Sequence, residues 1–195
     1  MAGCGRIASS GTGHTFDEHL TSPTVDHAKK TQKGDSVLNL ALNMGFFGRL
    51  FFGEKQPQEA PPERVKESVA TLEGYARGIM SHYGETHFTG DTQAKLILSV
   101  YSFGGVSALA MQYQMSQAQA HAVCMTLFMQ VFEFTPEDTA TKAQTLVAAA
   151  SDRTSHLYPT IYRGMNGFLH WHKHADDGAA RDFAEIMAHF QKSKS

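Results

Sequence analysis

The chemistry-bearing side chains of this 195-residue chain concentrate between Ser151 and Asp177, in the run SDRTSHLYPTIYRGMNGFLHWHKHADD. It holds four of the eleven histidines, the one tryptophan, two arginines and two tyrosines. Two imidazoles four residues apart, His170 and His174, share one face of a helix, as do the zinc-holding histidines of H-E-x-x-H. An enzyme built on them would be metal-dependent, with Asp177 as a third ligand. Against this, Trp171 stands where that motif carries its glutamate, and Arg163 falls on the same stripe and repels a cation. Asp176 or Asp177 joins only if the chain turns back. Zinc takes three or four ligands where two are placed, so no metal site is assigned.

The other catalytic sets are incomplete as well. His121 and Cys124, three apart, pair an imidazole with a thiol, but both fall on the apolar side of a strongly apolar helix, where a thiol's pKa rises. Asp152, Arg153, Ser155 and His156 are the residue types of a hydrolase, yet no G-x-S-x-G surrounds the serine. Helix termination and capping account for them better. Gly104-Gly105 lacks the spacing of a phosphate loop and suits close helix packing. The methionines, Met111, Met115, Met125 and Met129 among them, read as core filling. With no catalytic residue and no cofactor assigned, the chain reads as a non-enzyme.

What remains is an outward patch of Arg153, His156, Tyr158, Tyr162, Arg163, His170, Trp171 and His174. Tyrosine, tryptophan and arginine dominate interface energetics, so a protein contact is the best-motivated use. An ordinary amphipathic surface with Trp171 half-buried is the bland alternative, and the sequence leaves both open. Pro159 fits the first turn of a helix, which predicts one from there to about Lys173. Ile161, Met165, Phe168, Leu169 and His172 share one face of it, and Arg163, Gly167, His170 and His174 the opposite one, with Trp171 on the flank.

The elements that must hold this helix are helical too. Val65, Val69, Leu72, Ala76, Ile79 and Tyr83 recur at helical spacing from Glu63, and Gly84 offers a stop. Asp91 can cap a helix carrying Leu96, Ile97, Val100, Tyr101 and Phe103, which Gly104-Gly105 either kinks or splits. Ser116 and Gln119 form a capping-box pair for a helix reaching about Phe134, apolar enough to sit in the middle of a bundle. Thr135-Pro136-Glu137-Asp138 starts another, and Asp177 can cap a last one with Ala179, Phe183, Ile186, Met187 and Phe190. No stretch from Glu63 onward alternates polar and apolar. The expected fold is all-α, a single compact bundle of about six helices over residues 63–195.

Residues 1–43 are rich in Gly, Ser, Thr, His and Lys and read as a disordered arm or an upstream extension, with translation starting at Met44 as one option. Residues 44–62 read as a short apolar helix, GFFGRLFFGE, and a proline-rich linker. A net charge of -2 and a pI near 6.6 argue against a nucleic-acid partner. Cys4 and Cys124 do not suggest a disulfide, which fits a reducing cytoplasm. Neither a secretory leader nor a membrane span is expected, because polar residues interrupt the apolar runs short of the ~20 needed.

The stretches SQAQAHAVCMTLFMQVF, Thr135-Pro136-Glu137-Asp138, SDRTSHLYP and GFLHWH resemble the helical immunity proteins encoded beside bacterial polymorphic toxins, and in particular the immunity protein 48 family, from about Glu63 to Phe190. The resemblance implies a cytoplasmic antidote that binds a cognate secreted toxin, such as a type VI-delivered nuclease or other enzyme domain, and blocks its active site. It supplies no catalytic residue. The outward patch would be the anchor, with Glu133, Glu137 and Asp138 as acids able to mimic a phosphate-bearing substrate. A third reading is an oligomeric or scaffold module, a homodimer among the options, whose segment 44–54 docks a partner or lipid.

Overall fold

The computed structural model describes residues 59–192, which form seven helices and, among the described residues, no strand. They are α1 (Pro62–Tyr83), α2 (Glu85–Gly90), α3 (Thr92–Gln112), α4 (Gln117–Gln130), α5 (Pro136–Ser151), α6 (Tyr158–His174) and α7 (Gly178–Lys192). The observed class is the all-α one expected. Six of the helices follow the apolar periods in the sequence. The seventh, α2, has six residues, too few to display a period. It follows Gly84, whose φ of 108° turns the chain, and it seats Phe88 in the core beside Tyr83 and Phe183.

The arm over residues 1–43, the Met44 start and the apolar segment over 44–54 lie outside the described residues. Packing begins by Ala60, within the proline-rich linker. Ala60 is buried, its N–H donates to Gln119 Oε1 at 3.0 Å, and its carbonyl accepts from Gln119 Nε2 at 2.7 Å. The same glutamine closes the capping box with Ser116, so one side chain both starts α4 and ties down the entry to α1.

The other helix starts are set by local chemistry. Asp91 accepts from the N–H groups of Gln93 and Ala94, and Thr135 from that of Asp138. The start of α7 differs from expectation: Asp176 accepts from Gly178 N–H at 3.0 Å, while the Asp177 carboxylate turns to Arg181 at 2.6 Å. The end of α4 differs as well, at Gln130 rather than near Phe134, and Glu133 takes a left-handed φ of 55°. Asp152 accepts from Thr154 N–H and Oγ1, the terminating role read for that stretch.

The central helix is α3, not α4. Every residue from Ile97 to Ala110 is buried, whereas α4 buries Val123, Cys124, Leu127 and Phe128 and exposes Ala118, Ala122 and Met129. Apolarity alone did not distinguish them, because single alanine and methionine side chains are common at a protein surface as well as in the core. By length and composition α3 could cross a membrane, but 83% of its apolar window is buried inside the bundle, which marks a core helix.

Gly104-Gly105 neither splits nor ends α3. A Cβ on Gly104 would stand 2.3 Å from the carbonyl of Ile161 and from the nitrogen of Met165, and one on Gly164 would stand 1.9 Å from the carbonyl of Tyr101. The backbones of α3 and α6 are therefore in direct contact, and the room for contact exists only because no side chain occupies it. Gly78 of α1 is the contrast, since a Cβ there meets nothing within 4 Å.

Gly164→Ala is expected to lower stability by about 3 kcal/mol, because the added methyl must separate two backbones. Gly78→Ala should raise it by about 0.5–1 kcal/mol, the ordinary gain for a helix interior. Urea midpoints decide the matter, and similar small shifts for both would contradict the close seam.

Candidate functional site

The α6 helix carries most of the candidate residues. Pro159 occupies its first turn, and Ala175, at a left-handed φ of 52°, ends it with its N–H bonded to Trp171 O at 2.7 Å. Only Ala175, Asp176 and Asp177 separate α6 from α7, so α7 packs back on the flank of α6 that bears Arg163, Gly167 and His170. That flank was expected to face outward. Gly167 instead lies against the core, where a Cβ would come within 2.2 Å of Tyr101 Oη. His172 was expected to point inward, and it is exposed. It has the angular position of Phe168 and stacks on that ring at 5.5 Å, but it lies in the last turn, where none of the described residues covers it.

The eight patch residues do not form one surface. Arg153 and His156 are exposed in the loop before α6. The rings of Tyr158 and Tyr162 stack at 6.3 Å, and further along the helix the exposed His170 and His174 lie 4.6 Å apart. His170 Nε2 sits 2.8 Å from Asp176 Oδ2. Arg163 is half-buried against α7, where Nε donates to Asp182 Oδ1 at 3.0 Å, and Nη2 to the same oxygen and to Glu185 at 3.0 Å. Trp171 turns to the other side, half-buried against Tyr75 of α1 at 5.3 Å and Phe168 at 6.0 Å. The acids Glu133, Glu137 and Asp138 are exposed away from α6, with Glu133 3.6 Å from Lys95 Nζ.

Beneath this face lies a polar network that the sequence reading missed. Tyr101 Oη donates to Asp182 Oδ2 at 2.9 Å, so one carboxylate holds Tyr101 of α3 and Arg163 of α6 to α7. Tyr75 Oη donates to Gly164 O at 3.3 Å, and its ring stacks on that of Tyr101. Burial raises the pKa of both tyrosines, and the charge of Asp182 adds to the effect at Tyr101. The hydrogen bonds that the Arg163 guanidinium donates to Asp182 hold its pKa above the usual value. A signal for this was present: Asp182 is a lone acid on the arc of Ala179 and Ile186, and an acid there demands a donor from another element.

Two grooves flank the α6–α7 turn. One of about 330 Å³ runs between the helices and is lined by Tyr162, Arg163, Asn166, Gly167, His170 and Asp182 among others. The second, of about 240 Å³, opens between α1 and the turn, with Trp171 as a wall. Among the described residues no three His, Cys, Asp or Glu side chains converge as metal ligands would. His170 is turned to Asp176 and Asp177 to Arg181, so the proposed His170, His174 and Asp177 shell is not assembled. Cys124 is buried and its thiol is pushed up to about 12, far from the range of a nucleophile.

The family model described as immunity protein 48 matches residues 64–191, nearly the full run from α1 to α7 and the whole polar network within it. No curated protein and no solved structure matches the chain.

Because the folded state keeps the Tyr75 and Tyr101 protons more tightly than the unfolded chain, their contribution to stability is complete below about pH 10. It is lost as pH rises from there toward the higher folded-state values. Tyr101→Phe should cost about 1–2 kcal/mol at neutral pH, since Asp182 loses a donor yet stays partly solvated. The variant should also flatten the alkaline decline. Urea midpoints measured from about pH 9 to 11.5 test this, and an unchanged slope would mean that the Tyr101 hydroxyl is solvated.

Proposed function

The chain belongs to the immunity protein 48 family, and from that premise we propose that it binds a cognate toxin protein and neutralises it by covering the toxin's active site. With this reading go a location in the cytoplasm of the producing cell and a toxin of the polymorphic class, delivered between cells by a machinery such as type VI secretion. The work required is binding, not turnover. A toxin with a nucleic acid or another macromolecule as its substrate would be blocked sterically, without any chemistry by the inhibitor.

The observation that carries the reading is the pre-ordered α6–α7 face. Its groups, the stacked and half-buried Tyr158 and Tyr162 and the exposed pair His170 and His174, stand on a helix whose backbone is locked to α3 and whose flank is locked to α7. A face already held in place loses little entropy on docking, and aromatic side chains anchored in this way are the usual centres of binding energy. The 330 Å³ groove beside the ridge gives a partner side chain a place to enter.

The test is co-expression with the toxin encoded beside this chain's gene. Expected outcomes are rescue of growth and copurification of the pair. Tyr162→Ala combined with His170→Ala should weaken the complex by about 10- to 100-fold while leaving the thermal midpoint near that of the parent. Absence of both rescue and copurification would overturn the proposal.

A further inference from the structure

We propose that the groove between α1 and the α6–α7 turn is a receptor for an arginine side chain presented by a partner protein, gripped between the Trp171 indole and the carboxylates of Asp176 and Asp177. The source of that arginine rests on the toxin reading above; the chemistry of the slot does not.

The groove has about 240 Å³, and its walls are of two kinds. Trp171, Tyr75 and Ile79 supply apolar and aromatic surface, and Gly78, Ala175, Ala179 and Ala180 keep the passage between them open. Asp176 and Asp177 supply its carboxylates, and Tyr75 and His82 are the other titratable side chains of the lining, which contains no lysine or arginine although Arg181 reaches Asp177 from outside it. An apolar passage that carries carboxylates selects a ligand with an aliphatic stem and a cationic head. Anions are repelled, and a purely apolar group would leave the carboxylates unused. Arginine suits it better than lysine, because a planar guanidinium stacks on an indole and presents a fork of donors to carboxylates.

Two features of the fold bear on the slot independently. Gly78 lies inside α1 with an ordinary helical backbone, and a Cβ there would touch nothing. Packing therefore does not require a glycine, although glycine is a poor helix former. Its effect is to keep the groove open. The second feature is the turn. Ala175 holds a left-handed φ of 52°, which is unfavourable for alanine, and this conformation brings Asp176 and Asp177 to the mouth of the groove. Asp176 is oriented by the Gly178 N–H and by His170, and Asp177 by Arg181. An ionised carboxylate has roughly four acceptor positions, so both keep capacity for a further donor. The Gly178 bond, followed by that of His170, holds Asp176 below the usual carboxylate range.

Trp171 is the single tryptophan of the chain, so all indole emission comes from the residue that walls this slot. The full chain is titrated with N-acetyl-arginine amide at constant ionic strength, up to about 50 mM, the range in which one side-chain contact is measurable. A saturable emission change is expected, with N-acetyl-citrulline amide, the neutral isostere, at least about tenfold weaker. Asp177→Asn should weaken the arginine response. Gly78→Leu, whose Cβ meets no neighbour within 4 Å and whose longer side chain extends into the groove, should abolish it with the thermal midpoint retained. Three results would overturn the proposal: no saturation, an equal response to citrulline, or an intact titration in Gly78→Leu. If co-expression gives no rescue while the titration holds, the toxin reading falls and the slot stands; the reverse result removes the slot alone.

Discussion

Backbone touches backbone where α3 crosses α6, and the remaining architecture is arranged around that contact. Gly104 opens the space against Ile161 and Met165, and Gly164 opens it against Tyr101. Helices at such short range gain dispersion contacts along the main chain. The approach also fixes where the neighbouring large side chains go. Tyr101 cannot lie in the seam, so its ring extends past Gly167, and its hydroxyl emerges at the underside of α7. Phe168 fills the opposite side, against Gly105 and Tyr75.

The position of the hydroxyl explains Asp182. A buried phenol needs an acceptor, and a carboxylate on an apolar helix face needs donors. Asp182 satisfies Tyr101 and is in turn satisfied by Arg163, whose other contact is Glu185. A half-exposed ion pair adds little net stability, but removing one member leaves the others unmatched. Its contribution is to the register of α7 on α6 more than to the depth of the folding minimum. That register defines the groove beside the tyrosine ridge and places the Asp176 and Asp177 turn beside Trp171.

The sequence showed the helices and their starts plainly, because caps such as Asp91, Ser116 with Gln119, and Thr135 are local and chemically explicit. It was less informative about which helix is central. Apolar content made α4 look like the interior element, whereas the fold gives that place to α3, and only the close contact at the glycines selects between them. Within the candidate site the residue types marked candidates for contact, but helical spacing did not give their directions. Helical angle alone put His172 inward and Gly167 outward, and the ends and partners of α6 reverse both. Tyr101 and Asp182 lie 81 residues apart in sequence, and Tyr75 stands on a third helix, so no local pattern joins them. The isolated acid on the apolar arc of α7 was the one readable clue.

The central claim is that α6 is held to α3 as one unit before any partner arrives. Native-state amide hydrogen exchange on the unbound protein tests it most directly. If the seam is as described, the amides of Met165 and Phe168 exchange as slowly as those of Tyr101 and Phe103, through opening of the whole bundle. Exchange at Met165 and Phe168 faster by orders of magnitude, with α3 still protected, would show α6 detaching on its own and would contradict a preformed binding face.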